Sequence, residues 1–174
     1  SDVILNSFLL LSLAHLSVIA RALGKEDPYL PLYQKNKAAV RAAFFDEEKG
    51  CFVMAKNDPR PSILGNSLGI LAGLLTAEEA KSLCRKMLKE RSSFVPLTLS
   101  MEGFFYDALL QSDPAYQSYI LHDIEERYGK MLKEGATTFY ETEEGWKAFN
   151  NAGSLCHGWS ALPIHYFHRF GLGK

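Results

Sequence analysis

Apolar residues recur at helical spacing through most of the chain, and the breaks between these runs carry recognisable stop and start residues. Residues 2–23 are apolar almost all round, interrupted mainly by Asn6 and His15, and Gly24 follows as a residue suited to the left-handed position past a helix end. Asp27-Pro28 supplies a cap and a first-turn proline for a second helix ending near Phe45. Residues 46–50 read as a turn, 51–54 as a short extended piece and 57–61 as a loop, before a third helix over 63–75. Thr76 and Glu79 form a capping box that opens a fourth helix running to about Arg91. An extended linker over 94–99 leads into a helix over 101–111, and Asp113-Pro114 starts another that ends before Gly135. The last helix is expected to begin between Ser154 and His157 and to stop before Gly171.

This pattern predicts an all-α protein. No motif returns at a fixed period, which argues against a helical solenoid. Connections that alternate between tight and long suit a toroid of helical hairpins, in which the long loops gather at one end and build a cleft. The first helix then reads as an inner helix buried on both sides, whereas 29–41 and 77–89 are amphipathic in the manner of outer helices. An incomplete ring of helix pairs is the expected architecture, and 174 residues suggest a single compact unit. Ala20-Arg21-Ala22 imitates a signal-peptidase site, but Asp2 stands where a basic leading region belongs, so the first stretch reads as a buried helix. It also reads as too interrupted and too short to span a bilayer.

Composition narrows the partners. With 47% hydrophobic and 22% charged residues and a net charge of −1, the chain lacks the basic footprint that nucleic acid or an acidic membrane surface would require. A neutral small molecule fits that balance better. Cys51, Cys84 and Cys156 show no Cys-x-x-Cys spacing, so the expectation is three buried or half-buried thiols rather than a disulfide framework or a zinc knuckle. His165 and His168 have no carboxylate or cysteine at a supporting ligand spacing, so no metal is assigned. Asn66-Ser67-Leu68-Gly69 has too few glycines, in the wrong order, for a phosphate loop.

Candidate chemistry concentrates in two segments, Gly135-Ala136-Thr137-Thr138-Phe139-Tyr140-Glu141 and Gly153-Ser154-Leu155-Cys156-His157-Gly158-Trp159-Ser160. A helix-ending glycine, a run that favours extension, and then a lone acid make an unusual surface loop. Tyr140 and Phe139 on one side of Glu141, with Trp146 and Phe149 beyond it, would partly shield the carboxylate from water, as suits a general base. The plain alternative is a solvated loop acid like Glu143 and Glu144. His157 can exchange hydrogen bonds with a sugar hydroxyl, and the indole of Trp159 offers an apolar platform to a pyranose ring; a helix-capping histidine is the plain alternative. Glu102 is a weaker candidate, since an acid in a first helical turn is expected from the helix dipole alone. Ser154, Cys156 and His157 lack the strand-turn-helix elbow of a nucleophile site.

These two segments resemble the C-terminal part of the catalytic domain of bacterial α-L-rhamnosidases and related six-hairpin glycosidases, and residues 6–8 through 22–25 resemble a helix of that family. The resemblance implies that residues 1–174 are the C-terminal portion of an (α/α)6 domain hydrolysing an α-linked L-rhamnosyl or similar bond with inversion, with a carbohydrate substrate and no cofactor. It assigns Glu141 the role of general base and places His157 in the sugar pocket; Tyr140, Trp146 and Trp159 are then read as platform or wall residues. The family's general acid comes from a carboxylate-rich segment upstream, so the chain alone is expected to be inactive, and an exposed barrel edge is expected to favour self-association. Tyr140 replaces the family's usual tryptophan, and Thr142-Glu143-Glu144 replaces its usual Arg-x-Trp. Two other readings stay open: a non-catalytic helical domain that binds carbohydrate or peptide, and a lyase or a hydrolase of another sugar on the same fold.

Overall fold

A computed structural model of the chain describes residues 2–172. The chain divides into two compact units, Ser1–Pro96 and Leu97–Lys174, rather than the single unit that its length suggested.

In the first unit, α1 (Val3–Ala22) starts at Asp2, whose carboxylate accepts the Leu5 N–H at 2.9 Å, and stops just before Gly24. Val3, Ser7, Leu10, Leu13, Ser17 and Ala20 recur every three or four residues and form its buried face, which packs against α2 (Tyr29–Phe44) and α3 (Ile63–Leu71). The other side is not buried as expected of an inner helix: Leu5, Leu9, Leu16, Ile19 and Leu23 are exposed. Its length and composition also suffice to cross a membrane, which corrects the reading of this stretch as too short. Asp27 joins α1 to α2, accepting from the Ser17 hydroxyl at 2.5 Å and from the Tyr29 and Leu30 amides at 3.1 Å. The Ser17 bond is the main reason its carboxyl is held below the ordinary value.

Between α2 and α3 the chain forms a small antiparallel sheet, β1 (Phe45–Asp46), β2 (Cys51–Ala55) and β3 (Asp58–Pro61), in the order β1-β2-β3. The third strand lies where a loop was expected, because Pro59 and Pro61 in a four-residue edge strand carry no strand signal. One buried residue locks this sheet to the helix behind it. The Asn66 side chain accepts the Phe52 N–H at 2.8 Å and donates to Phe52 O at 3.0 Å and Ser62 O at 2.8 Å, so its amide is paired at both ends. The Asn66-Ser67-Leu68-Gly69 stretch is therefore helix interior. α3 ends at Leu71, short of the expected Leu75. α4 (Ala77–Lys89) opens on the Thr76–Glu79 capping box, and Arg41 grips Glu79 at 2.8 Å; the Thr76 backbone N–H and this guanidinium hold the Glu79 carboxyl down at about 2.

In the second unit, α5 (Glu102–Ser112) and α6 (Gln117–Lys133) form a hairpin whose turn is capped by Asp113, which accepts the Ala115 N–H at 2.9 Å. α6 buries Ile120, Ile124, Tyr128 and Met131 along one face. A long irregular stretch follows, containing a short turn, α7 (Ala148–Asn151), before α8 (Leu162–Arg169). α8 therefore begins well after the expected 154–157, and Pro163 occupies its first turn. Tyr166 ties it to α5 by donating to Gly103 O at 2.9 Å and Asp107 Oδ1 at 3.1 Å.

Candidate active site

The irregular stretch of the second unit gathers the residues singled out by sequence. Gly135 adopts φ +83° and ends α6, as its position predicted. Residues 139–141 then run beside 154–157: the His157 N–H donates to Phe139 O at 2.7 Å and the Glu141 N–H to Ser154 O at 2.9 Å. The carbonyl of Glu141 accepts the Leu99 N–H at 3.1 Å, so Glu141 is held from both sides by backbone bonds. Its carboxylate is half-buried and accepts the Ser154 N–H at 3.3 Å. Just before Ser154, Gly153 lets the chain pass close to the turn at Gly145, since a Cβ there would lie 2.0 Å from Gly145 O.

Among the aromatic candidates, Tyr140 is half-buried and packs on Gly145. Trp146 is 53% and Trp159 77% exposed, and Phe149 projects outward as well, so these rings form no closed apolar wall around the acid. His157 is half-buried with its ring edge-on to Trp159, centroids 6.1 Å apart. It precedes a 3-10 turn, Gly158–Ser160, rather than standing at the start of the last helix. Phe139 and His157 both line an apolar groove of about 820 Å³ between α6 and α8, with Tyr128, Leu132, Ile164 and Phe167. Glu141, Tyr140, Trp146 and Trp159 do not line it. Cys156 also borders the groove and is exposed, unlike the buried Cys51 and Cys84, which corrects the expectation of three sheltered thiols.

Two features escaped the sequence. The first is a strained run in which Phe149, Asn150 and Asn151 take φ of 52°, 59° and 67° in succession. Asparagine tolerates the left-handed region, but phenylalanine does not do so readily. The second is a charged cluster. Arg127 on α6 donates to Asp123 at 2.9 Å, reaches Glu102 on α5 at 3.5 Å, and pairs with Glu143 just beyond Glu141. Tyr106 donates to the same Asp123 at 2.6 Å, and Glu102 is 1% exposed. The three carboxylates raise the Arg127 guanidinium above its ordinary value despite burial, and burial among them raises the Tyr106 phenol. Only the Asp123–Arg127 spacing of four was legible in advance. Among the described residues, no group of three or more His, Cys, Asp or Glu could hold a metal ion.

Residues 1–170 match the bacterial alpha-L-rhamnosidase 6 hairpin glycosidase domain, and the chain belongs to that family. Its fold is mainly helical, part of an (α/α)6 toroid, and includes the small sheet between α2 and α3. Among solved structures it is similar to a rhamnosidase from Klebsiella oxytoca with rhamnose bound, with a TM-score of 0.80 and 22% identity over 98% of this chain and 34% of that one. The chain thus spans about a third of the length of that relative. No curated protein matches it.

Proposed function

We propose that residues 1–174 are the C-terminal portion of the catalytic domain of an inverting glycoside hydrolase that removes terminal α-L-rhamnosyl or related residues. Family membership supports the glycosidase class, and the Klebsiella relative supports a carbohydrate as the ligand. The observation that carries the residue assignment is the pairing of 139–141 with 154–157, which holds Glu141 and His157 on adjoining segments. Glu141 is the general base: its carboxylate takes a proton from a water as that water attacks the anomeric carbon from the face opposite the leaving group. The Ser154 amide orients this carboxylate without neutralising it. His157 contacts sugar hydroxyls, Tyr140 forms pocket wall, and the exposed faces of Trp146 and Trp159 are platforms for sugar rings.

Inversion requires a second carboxyl group about 6.5–9.5 Å from the base, leaving room for the water. Glu102 is a poor donor to a glycosidic oxygen, being 1% exposed and turned to Arg127. On this reading the general acid comes from elsewhere in the full protein, as the family resemblance implies, and this chain alone is inactive or nearly so. The test is Glu141→Gln in the full-length protein, assayed on an aryl α-L-rhamnoside. Loss of about 10³-fold in kcat is expected of a general base. Unchanged turnover would remove Glu141 from the chemistry. If sugar binds but neither protein turns over any glycoside, the non-catalytic binding domain is the better reading.

A further inference from the structure

We infer that Arg127 is a positioning residue for Glu141, an inference that rests on the function proposed above. The backbone of Glu141 is clamped by two segments, 97–99 and 154–157, through the Leu99 N–H and Ser154 O. Arg127 ties down chain on both sides of that clamp. Glu102 lies three residues beyond Leu99, and Glu143 lies two residues beyond Glu141; Nη1 of Arg127 pairs with both. Its Nε bonds Asp123 one turn back on α6, which fixes the guanidinium plane, and Asp123 is itself fixed by the Tyr106 hydroxyl of α5. The result is a brace running from two helices to the turn that carries the base.

The chemistry of the brace explains the choice of residue. A guanidinium offers several donors in a rigid plane and reaches three carboxylates at once, whereas a lysine ammonium in the same space would hold fewer of them in fixed geometry. With a side chain 18% exposed, Arg127 works where water competes little for these bonds. Nothing in this arrangement places Arg127 against the sugar. Its effect reaches the reaction only through the location of Glu141, and a misplacement of about 1 Å in a catalytic group is enough to cost on the order of 100-fold in rate.

The experiment is steady-state kinetics of the full-length protein on an aryl α-L-rhamnoside, comparing wild type, Arg127→Lys, Glu143→Gln and Glu141→Gln, with thermal melting of each. Arg127→Lys is expected to lower kcat by about 100-fold while KM stays within about threefold, in protein that is folded at the assay temperature. Glu143→Gln keeps an acceptor for the guanidinium and is expected to lose about tenfold in kcat. It decides the matter if Arg127→Lys does not fold, because Glu143 is 38% exposed and its exchange leaves the buried partners alone. Active wild type, dead Glu141→Gln, and unchanged kcat in the two brace variants would overturn this inference and leave the proposed function standing. Losses of activity that merely track unfolding would also overturn it. Wild-type protein inactive on every glycoside would overturn both.

Discussion

The two units hold their irregular segments in opposite ways. In the first, the sheet between α2 and α3 is secured by Asn66, a neutral amide whose donors and acceptor are all paired with buried backbone. In the second, the stretch between α6 and α8 is secured by backbone bonds and by one arginine among three carboxylates, and it passes through three left-handed residues. A neutral, fully paired contact adds rigidity with little electrostatic cost. Carboxylates gathered around a single guanidinium, one of them buried, and backbone strain are costly, and they persist where the surrounding structure over-determines them. Strain and charge both fall in the unit that carries Glu141 and His157, which is where a working site would keep them.

The contrast can be broken from either side. The larger effect belongs to the first unit: Asn66→Leu removes three side-chain hydrogen bonds, two of them to the buried backbone of Phe52 and one to a Ser62 carbonyl that keeps only its helical N–H partner, so unfolding stability should fall by about 3 kcal/mol. Chemical denaturation would measure it, and a loss below about 1 kcal/mol would mean that the lock is dispensable. A smaller effect of opposite sign belongs to the second unit. Phe149 is exposed and left-handed, so Phe149→Gly should relieve strain and raise stability by about 1 kcal/mol. Destabilisation by that exchange would show that the Phe149 ring makes a contact worth more than the strain it carries.

Much of the fold was legible because its punctuation is local. Gly24, the Thr76–Glu79 box and Asp113-Pro114 each act within one helical turn, and each stands at the boundary that it predicted. Errors arose where distant residues decide. Whether α1 buries one face or two depends on what packs beside it, not on its own apolar content. Strand β3 exists because β2 lies beside it, and α8 starts late because 154–157 pairs with 139–141 first. The site divides along the same line. Glu141 and His157, proposed as base and sugar contact, stand out by the character of their own segments, while the Arg127 brace joins residues on α5, α6 and a loop that no spacing rule connects.

The central claim, that Glu141 activates water in an inverting hydrolysis, is tested most directly by the anomer first released. Proton NMR of the full-length protein acting on an aryl α-L-rhamnoside, followed from the first minutes before mutarotation, should show β-L-rhamnose appearing ahead of the α form. Release of the α anomer first would mean that a carboxylate attacks the sugar itself, and would contradict the role given to Glu141.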